Sequence, residues 1–169
     1  KLFLRMLDSE VDELHRREVR VAFIGERAQF PEAIRTRMAQ AEAAAPAEPR
    51  LVLTIAAGYG GRWDIAQACR SLAEDVAAGR LAAADINETV LGERISLAGL
   101  PPPDLFIRTG GDLRISNFLL WQLAYTELWF TETLWPDLDR TVLDAALADF
   151  ADRERRFGLT SAQVAGSNP

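Results

Sequence analysis

Four short apolar runs, separated by helical segments, constrain the fold of this chain more than any other feature of its sequence. The runs occupy residues 19–26, 51–61, 104–110 and 127–130, and they are apolar along most of their length rather than at every second position. Such strands are typical of sheets covered on both faces, and strands that alternate with helices are usually parallel. The sequence therefore predicts one α/β domain, with a parallel sheet and helices on both of its faces.

The segments between these runs carry apolar residues at helical spacing. The predicted helices span residues 1–19, 30–45, 62–79, 85–95, 116–125 and 138–158. The third of them is predicted to have an apolar face made of Ile65, Ala68, Cys69, Leu72 and Val76. We expect the domain to cover residues 1–158 and residues 159–169 to form a poorly ordered tail.

The opening helix is unusual because its apolar stripe begins at the first residues of the chain. No Ser, Thr, Asp or Asn precedes the stripe to cap the helix. We therefore interpret the sequence as the later part of a longer protein, with an upstream segment that is missing here.

Charge and composition exclude several classes of function. The formal net charge of −6 argues against broad nucleic-acid binding, which requires a basic surface. No run approaches the roughly 18 apolar residues of a membrane span. The only cysteine, Cys69, excludes an internal disulfide and fits a reducing, cytoplasmic compartment. The only histidine, His15, excludes a metal cluster built from histidines. Because the net charge is negative, any anion site must be a local cluster of basic residues.

Two predicted strand ends lead into glycine-rich turns, "AAGYGGRWD" at 56–64 and "IRTGGDLRISN" at 107–117. Ligands of open parallel sheets bind beyond the carboxyl ends of the strands, so these turns are the candidate sites. The first turn has Trp63 where a dinucleotide-binding motif requires glycine, and it contains no Gly-Lys-Ser/Thr. We interpret it mainly as a structural corner between a strand and a helix.

The second turn has the composition of a diphosphate site. Arg108 ends a predicted strand, Arg114 precedes a predicted helix, and Gly110 and Gly111 between them would let backbone N–H groups approach a ligand. Ser116 or Asn117 could cap the helix, whose N-terminus favours anions. Guanidinium groups, amides and a hydroxyl at one place are suited to a diphosphate.

An alternative stays open for the same residues. Both arginines could form surface ion pairs with residues such as Asp104 and Asp112. A similar choice applies to Glu127, at the start of the fourth run. Its carboxylate could take part in an ion pair, or it could lie near a diphosphate if a divalent cation lay between them.

Four segments carry a resemblance to a known family. "PDLFIRTGGDLRISNFLLWQLAYTELWFTETLWPD" resembles the signature region of the cis-prenyltransferases, of the bacterial undecaprenyl diphosphate synthase type. "GYGGRWDI" and the closing "FADRERRFG" are similar to further segments of that family, in the same order and spacing. The opening "LDSEV…LHRREVRVAFIG" also resembles the family, so the resemblance covers the chain to about residue 158.

The resemblance implies a Mg²⁺-dependent transferase that adds isopentenyl diphosphate to an allylic diphosphate, usually farnesyl diphosphate. It also implies that Arg108, Arg114 and Ser116 bind isopentenyl diphosphate, with Ile115 contributing backbone. Glu127 matches the carboxylate associated with Mg²⁺. Undecaprenyl diphosphate, the precursor of the cell-wall lipid carrier, is the product typical of bacteria. The alternatives are a short-chain cis-prenyl diphosphate synthase and a non-catalytic partner subunit.

The resemblance also implies an assembly. The family is dimeric, and the aromatic segment with Trp129, Phe130 and Trp135 is a plausible interface. Arg153 and Arg155 could contact phosphate in the neighbouring subunit. The growing hydrocarbon would lie in a tunnel between the sheet and two helices. Peripheral membrane contact would serve release of the product.

The sequence departs from the family at three places. The family's first motif, Asp-Gly-Asn-Gly-Arg-Trp, supplies the principal metal-binding Asp and is absent, so the catalytic Asp cannot be assigned here. Gly58 stands where Asn is expected, and Leu113 replaces a polar residue that is often His. Leu113 therefore lacks the polar group that could contact phosphate or transfer a proton in such a relative.

Overall fold

The protein is described by a computed structural model that places the backbone of residues 2–153 and the side chains of residues 9–153. The chain forms two compact units, one of residues 1–99 and one that begins at residue 100. Both contain parallel strands and helices, which confirms the predicted α/β class. Among the described residues, no helix is long and apolar enough to span a membrane.

The first unit contains four helices and two strands. In chain order these are α1 (Leu2–Arg16), β1 (Val19–Ile24), α2 (Glu32–Ala43), β2 (Leu51–Ala56), α3 (Gly61–Ala77) and α4 (Glu88–Gly92). The strands pair in parallel from Val19 opposite Leu51 to Ile24 opposite Ala56. The core of this unit forms where β1 packs with α1 and α2, around Val11, Val21, Phe23, Met38 and Ala41.

The two strands of this unit differ from the predicted pattern. In β1, burial alternates, with Val19, Val21 and Phe23 buried, so one face of the strand packs against the core. In β2, Leu51, Val52 and Leu53 are 59%, 42% and 39% exposed. The predicted burial of this run therefore fails at these three residues. The core helices α1 and α2 pack against β1.

Helix α3 buries Ala68 and Leu72, which were predicted to lie on its apolar face. Cys69, which was predicted on the same face, is exposed. One residue of a helix corresponds to about 100° of rotation, so a neighbour of a buried residue easily lies at the edge of the stripe.

The second unit contains β3 (Leu105–Arg108), β4 (Glu127–Phe130) and α5 (Arg140–Ala151) among its described residues. The strands pair in parallel, with Leu105 opposite Glu127 and Arg108 opposite Phe130. Asp139 caps α5, because its side chain accepts a hydrogen bond from the Val142 N–H at 3.0 Å. Because β3 and β4 are parallel and Arg108 lies opposite Phe130, the carboxyl ends of the two strands lie side by side.

The helix predicted at 116–125 is wrong, because this stretch forms a series of turns. Ser116 and Leu119 have φ of +55° and +45°, which a right-handed helix does not allow. Leu119 and Leu123 are nevertheless buried, and one helical-type hydrogen bond joins the Leu123 N–H to the Leu119 carbonyl at 3.0 Å. The stretch thus buries Leu119 and Leu123 without forming the predicted helix, while Tyr125 is 69% exposed.

Candidate functional site

The turn after β3 is fixed by hydrogen bonds to the chain that follows β4. Gly110 and Gly111 have φ of +88° and +79°, a left-handed conformation that favours glycine. Their N–H groups donate to the carbonyls of Thr133 and Thr131, each at 2.9 Å. These two amides are therefore bound within the protein, and the expected approach of backbone N–H groups to a ligand stays a prediction. The glycines instead let the backbone reverse while it stays attached to the strand exit.

The anchored turn brings four predicted or candidate residues together, and we call them the anion cradle: Arg108, Asp112, Arg114 and Ser116. Arg108 Nη2 donates to Asp112 Oδ2 at 2.7 Å, and Arg114 Nη2 lies 2.8 Å from Asp112 Oδ1. Arg108 Nη1 donates to Ser116 Oγ at 2.9 Å and also to the carbonyl of Arg114. Both guanidinium groups thus converge on one carboxylate.

The surface ion pairs with Asp112, one of the two interpretations of these arginines, are present. The diphosphate site stays a prediction, for which the two guanidinium groups lie close together. Two guanidinium groups against one carboxylate leave the cradle with a formal charge of +1. Its side chains are open to solvent, with 22% of Arg108, 41% of Asp112 and 66% of Arg114 exposed. An incoming anion can therefore reach both guanidinium groups.

The other predicted residues of this stretch lie nearby. Ile115 is half-buried between Arg114 and Ser116 in the sequence. Ser116 is held in the cradle by its own bond to Arg108 rather than as a helix cap. Leu113 is 79% exposed, so the position at which the resemblance implied a polar side chain lies in solvent.

A second ion-pair cluster surrounds Glu127, at the start of β4. Glu127 Oε2 accepts from Arg153 Nη1 at 2.9 Å, and Arg153 Nη2 donates to Asp149 Oδ2 at 2.5 Å. Arg153 also donates to the carbonyl of Leu128 at 3.1 Å. The hydrogen bonds to Glu127 and then Asp149 raise the pKa of the Arg153 guanidinium. Two carboxylates against one guanidinium leave this cluster with a formal charge of −1, opposite in sign to the cradle. Arg155 lies outside the described residues.

Glu127 is the residue predicted to bind Mg²⁺. Among the described residues, no group of three His, Cys, Asp or Glu side chains lies close enough to hold a metal ion. Mg²⁺ is commonly bound by one or two carboxylates together with water and substrate phosphates, so a single carboxylate can take part in such a site. Glu127 is 29% exposed and has one oxygen paired to Arg153, and its assignment to Mg²⁺ stays a prediction.

Sequence reasoning missed the most buried charged side chain among residues 9–153, Asp64, in the first turn of α3. Its carboxylate is 1% exposed and accepts from Tyr59 Oη at 2.8 Å. It also accepts from the N–H and the hydroxyl of Ser96, at 2.9 and 2.7 Å, and from Gln67 Nε2 at 3.3 Å. These bonds attach the segment around Ser96 to α3, which agrees with a structural corner at the first glycine-rich turn.

The family model of undecaprenyl diphosphate synthase matches residues 1–158 of this chain. The chain belongs to the cis-prenyltransferase family. The family predicted from the sequence is thereby confirmed, on a match that includes Arg108, Arg114 and Glu127.

Curated cis-prenyltransferases are similar to the chain over nearly its whole length. It is 68% identical over 165 residues to a ditrans,polycis-undecaprenyl-diphosphate synthase ((2E,6E)-farnesyl-diphosphate specific) of Xanthomonas axonopodis pv. citri. That alignment covers 98% of this chain and 64% of the relative. A synthase of the same name from Vibrio cholerae is 46% identical, with 97% and 66% covered. The chain thus spans somewhat less than two thirds of the length of these relatives.

Solved cis-prenyltransferase structures share the fold. Lavandulyl diphosphate synthase from Lavandula x intermedia, in complex with dimethylallyl diphosphate, aligns with a TM-score of 0.87 and 36% identity, covering 92% of this chain and 68% of that one. A probable undecaprenyl diphosphate synthase from Campylobacter jejuni aligns with a TM-score of 0.78 and 32% identity, covering 93% and 71%.

Proposed function

We propose that the protein to which this chain belongs is a cis-prenyltransferase that adds isopentenyl diphosphate to farnesyl diphosphate and makes undecaprenyl diphosphate. Identity of 68% to a synthase with that name supports the substrate and the product. The observation that carries the proposal is the convergence of Arg108 and Arg114 at the carboxyl end of β3. A pair of guanidinium groups with a hydroxyl beside them is suited to the oxygens of a diphosphate.

Isopentenyl diphosphate would bind in the anion cradle. Its diphosphate would take the position that the Asp112 carboxylate holds between the two guanidinium groups. Ser116 would donate its hydroxyl, and Ile115 would contribute backbone. Charge-assisted hydrogen bonds of this kind are each worth about 1.5 to 3 kcal/mol, enough to fix the position of the substrate's alkene.

Magnesium is proposed as the cofactor, with Glu127 as a protein ligand. When bound beside a diphosphate, Mg²⁺ stabilises the negative charge that develops as the diphosphate departs. Glu127 lies in the cluster with excess negative charge, which favours a cation. To accept the metal with both oxygens, Glu127 would have to give up its hydrogen bond to Arg153.

The reaction would break the carbon–oxygen bond of the allylic diphosphate and form one new carbon–carbon bond. The bond between C1 of the allylic chain and its diphosphate oxygen breaks, and the electron pair leaves with the diphosphate. The alkene electrons of isopentenyl diphosphate form the new carbon–carbon bond at C1, and loss of a proton restores a double bond. Arg108 and Arg114 contribute by holding the second substrate in place during these steps.

The active assembly is proposed to be a cytoplasmic homodimer that contacts the membrane peripherally to release its product. Trp135 is 73% exposed, which suits an aromatic interface patch together with Trp129 and Phe130. Arg153 would have to leave Glu127 and Asp149 before it could contact phosphate in a partner subunit. Arg155 would act beside it.

The proposal is tested by incubating the natural full-length protein with farnesyl diphosphate and radiolabelled isopentenyl diphosphate, with and without Mg²⁺. We expect long-chain product only with Mg²⁺. The variant Arg114→Ala should raise the KM for isopentenyl diphosphate about tenfold or more, from loss of a charge-assisted contact. Arg140→Ala is the matched control, because Arg140 is 91% exposed and pairs only with Asp144 in a neighbouring turn of α5.

Each outcome of this assay separates the proposal from its alternatives. Products of only a few added units would indicate a short-chain cis-prenyl diphosphate synthase. Absence of incorporation under all conditions would favour a non-catalytic subunit. Equal kinetics of Arg114→Ala and the parent would show that the diphosphate binds elsewhere.

A further inference from the structure

Asp112 occupies the centre of the anion cradle. Its two carboxylate oxygens are divided between two partners, with Oδ2 on Arg108 at 2.7 Å and Oδ1 on Arg114 at 2.8 Å. A carboxylate that bridges two guanidinium groups in this way presents the same pair of acceptors as one O–P–O edge of a phosphate. The chain therefore fills its own candidate phosphate position with an anion.

The backbone holds Asp112 at this place. It follows directly on Gly111, whose N–H group is bound to the Thr131 carbonyl at 2.9 Å. Its side chain remains 41% exposed, so it can rotate into solvent without leaving a buried charge. Pairs of this exposure are weak, because solvent screens them, and a stronger anion can replace them.

We propose that Asp112 is a resident counter-ion of the cradle, which aligns the two guanidinium groups before binding and exchanges with the diphosphate of isopentenyl diphosphate. This inference rests on the proposed function. Since the allylic diphosphate is the leaving group, the diphosphate of the lengthened product is the one that entered with isopentenyl diphosphate. That group must leave the cradle before the next addition. When the diphosphate leaves, Asp112 pairs again with Arg108 and Arg114 and replaces the contacts that the two arginines lose.

Exchange of this kind has a measurable cost, because every anion that uses both guanidinium groups must first displace the carboxylate. Asp112→Asn keeps the shape and one acceptor oxygen but removes the competing charge. Calorimetric titration with inorganic pyrophosphate, without Mg²⁺ and at low salt, should show binding about three- to tenfold tighter than in the parent. Asp144→Asn is the matched control: it removes the carboxylate of another exposed arginine pair in the same unit and should leave the affinity unchanged.

A second measurement tests the exchange during turnover. In the full-length protein with farnesyl diphosphate and labelled isopentenyl diphosphate, Asp112→Asn should slow the later additions more than the first, so that shorter intermediates accumulate. Asp112→Ala, which also loses the aligning oxygen, should gain less affinity for pyrophosphate than Asp112→Asn.

Pyrophosphate affinity that is unchanged or weaker in Asp112→Asn would overturn the inference while leaving the proposed function in place. Failure of the parent to bind pyrophosphate, together with identical behaviour of Arg114→Ala, would overturn both.

Discussion

The turns after β2 and β3 both follow a parallel strand and both contain adjacent glycines, Gly60–Gly61 and Gly110–Gly111. They differ in where the charge lies. In the first turn, the carboxylate of Asp64 is 1% exposed and accepts hydrogen bonds from Tyr59 and Ser96, which are neutral groups of its own unit. In the second, the charged side chains are 22% to 66% exposed and pair with one another. Similar glycine-rich sequences thus produce a corner around a buried carboxylate in one case and a cluster of exposed ion pairs in the other.

The two turns differ because the buried carboxylate has lost its hydration water, whereas the exposed charged groups keep much of theirs. A buried carboxylate loses its hydration and must be fully hydrogen-bonded by the protein, which makes its contacts costly to break. Exposed ion pairs keep much of their hydration, so their net contribution is small and another ion can take their place. Burial therefore distinguishes the two turns better than their glycine content does.

The largest expected effect is that of Asp64→Ala on stability. The substitution leaves the Ser96 N–H and the Tyr59 hydroxyl without their acceptor, and we expect the free energy of unfolding to fall by about 2 to 4 kcal/mol. Urea denaturation followed by circular dichroism measures this loss. Asp64→Asn, which keeps one acceptor oxygen, should lose less. Equal stability of Asp64→Ala and the parent would remove the contrast between the two turns.

The next effect concerns the cradle. Arg108 holds both Asp112 and Ser116, whereas Arg114 donates to Asp112 from a side chain that is 66% exposed. We therefore expect Arg108→Ala to weaken pyrophosphate binding about 10- to 100-fold, and more than Arg114→Ala does. Calorimetric titration gives both values, with Arg140→Ala as control. A reversed order would mean that Arg114 is the main contact.

A smaller effect separates the cradle from the Glu127 cluster. Glu127→Gln should weaken pyrophosphate binding about tenfold in the presence of Mg²⁺ and little in its absence, since only the metal needs the carboxylate. Asp144→Asn is the matched control, because it removes an exposed carboxylate of α5 that pairs with Arg140, outside this cluster. The metal assignment fails if both variants respond alike, or if the loss in Glu127→Gln does not depend on Mg²⁺.

The smallest effect is the contribution of Asp75, an ion-paired residue of α3, to stability, which can be compared with that of Asp64. The hydrogen bond from Arg80, and after it the charges of Arg94 and Arg80, lower the pKa of Asp75 from its ordinary 3.8. A lowered pKa in the folded state stabilises the protein above the unfolded value, and this contribution is lost as the pH falls below 3.8 through the folded pKa. Thermal unfolding between about pH 5 and pH 2.5 should therefore show a shallower decline for Asp75→Asn than for the parent. Parallel declines would show that this pair contributes nothing.

The parts of the site that were predictable are those set by short stretches of chain. Arg108 and Arg114 are six residues apart on either side of a glycine turn, so their convergence follows from local geometry. The parallel pairing of β3 with β4 follows from apolar strands joined by a long crossover. The ion pairs of Asp112 with Arg108 and Arg114 also join residues close in sequence, and such pairs were one of the two interpretations of these arginines.

What could not be predicted depends on contacts between distant residues. The role of Asp64 requires Ser96, 32 positions away, and the pairing of Glu127 requires Arg153, 26 positions away. The Gly110 and Gly111 amides are bound by carbonyls beyond β4, which no local pattern indicates. The stretch 116–125 has helical periodicity, yet Ser116 and Leu119 adopt left-handed φ, so tertiary packing overrides the propensity there.

The most direct test of the central claim is a crystal structure of the full-length protein with isopentenyl diphosphate and Mg²⁺. The account predicts diphosphate oxygens about 2.7 to 3.0 Å from the guanidinium groups of Arg108 and Arg114, with the Asp112 carboxylate displaced towards solvent. A diphosphate bound elsewhere, with both pairs between Asp112 and the arginines intact, would contradict it.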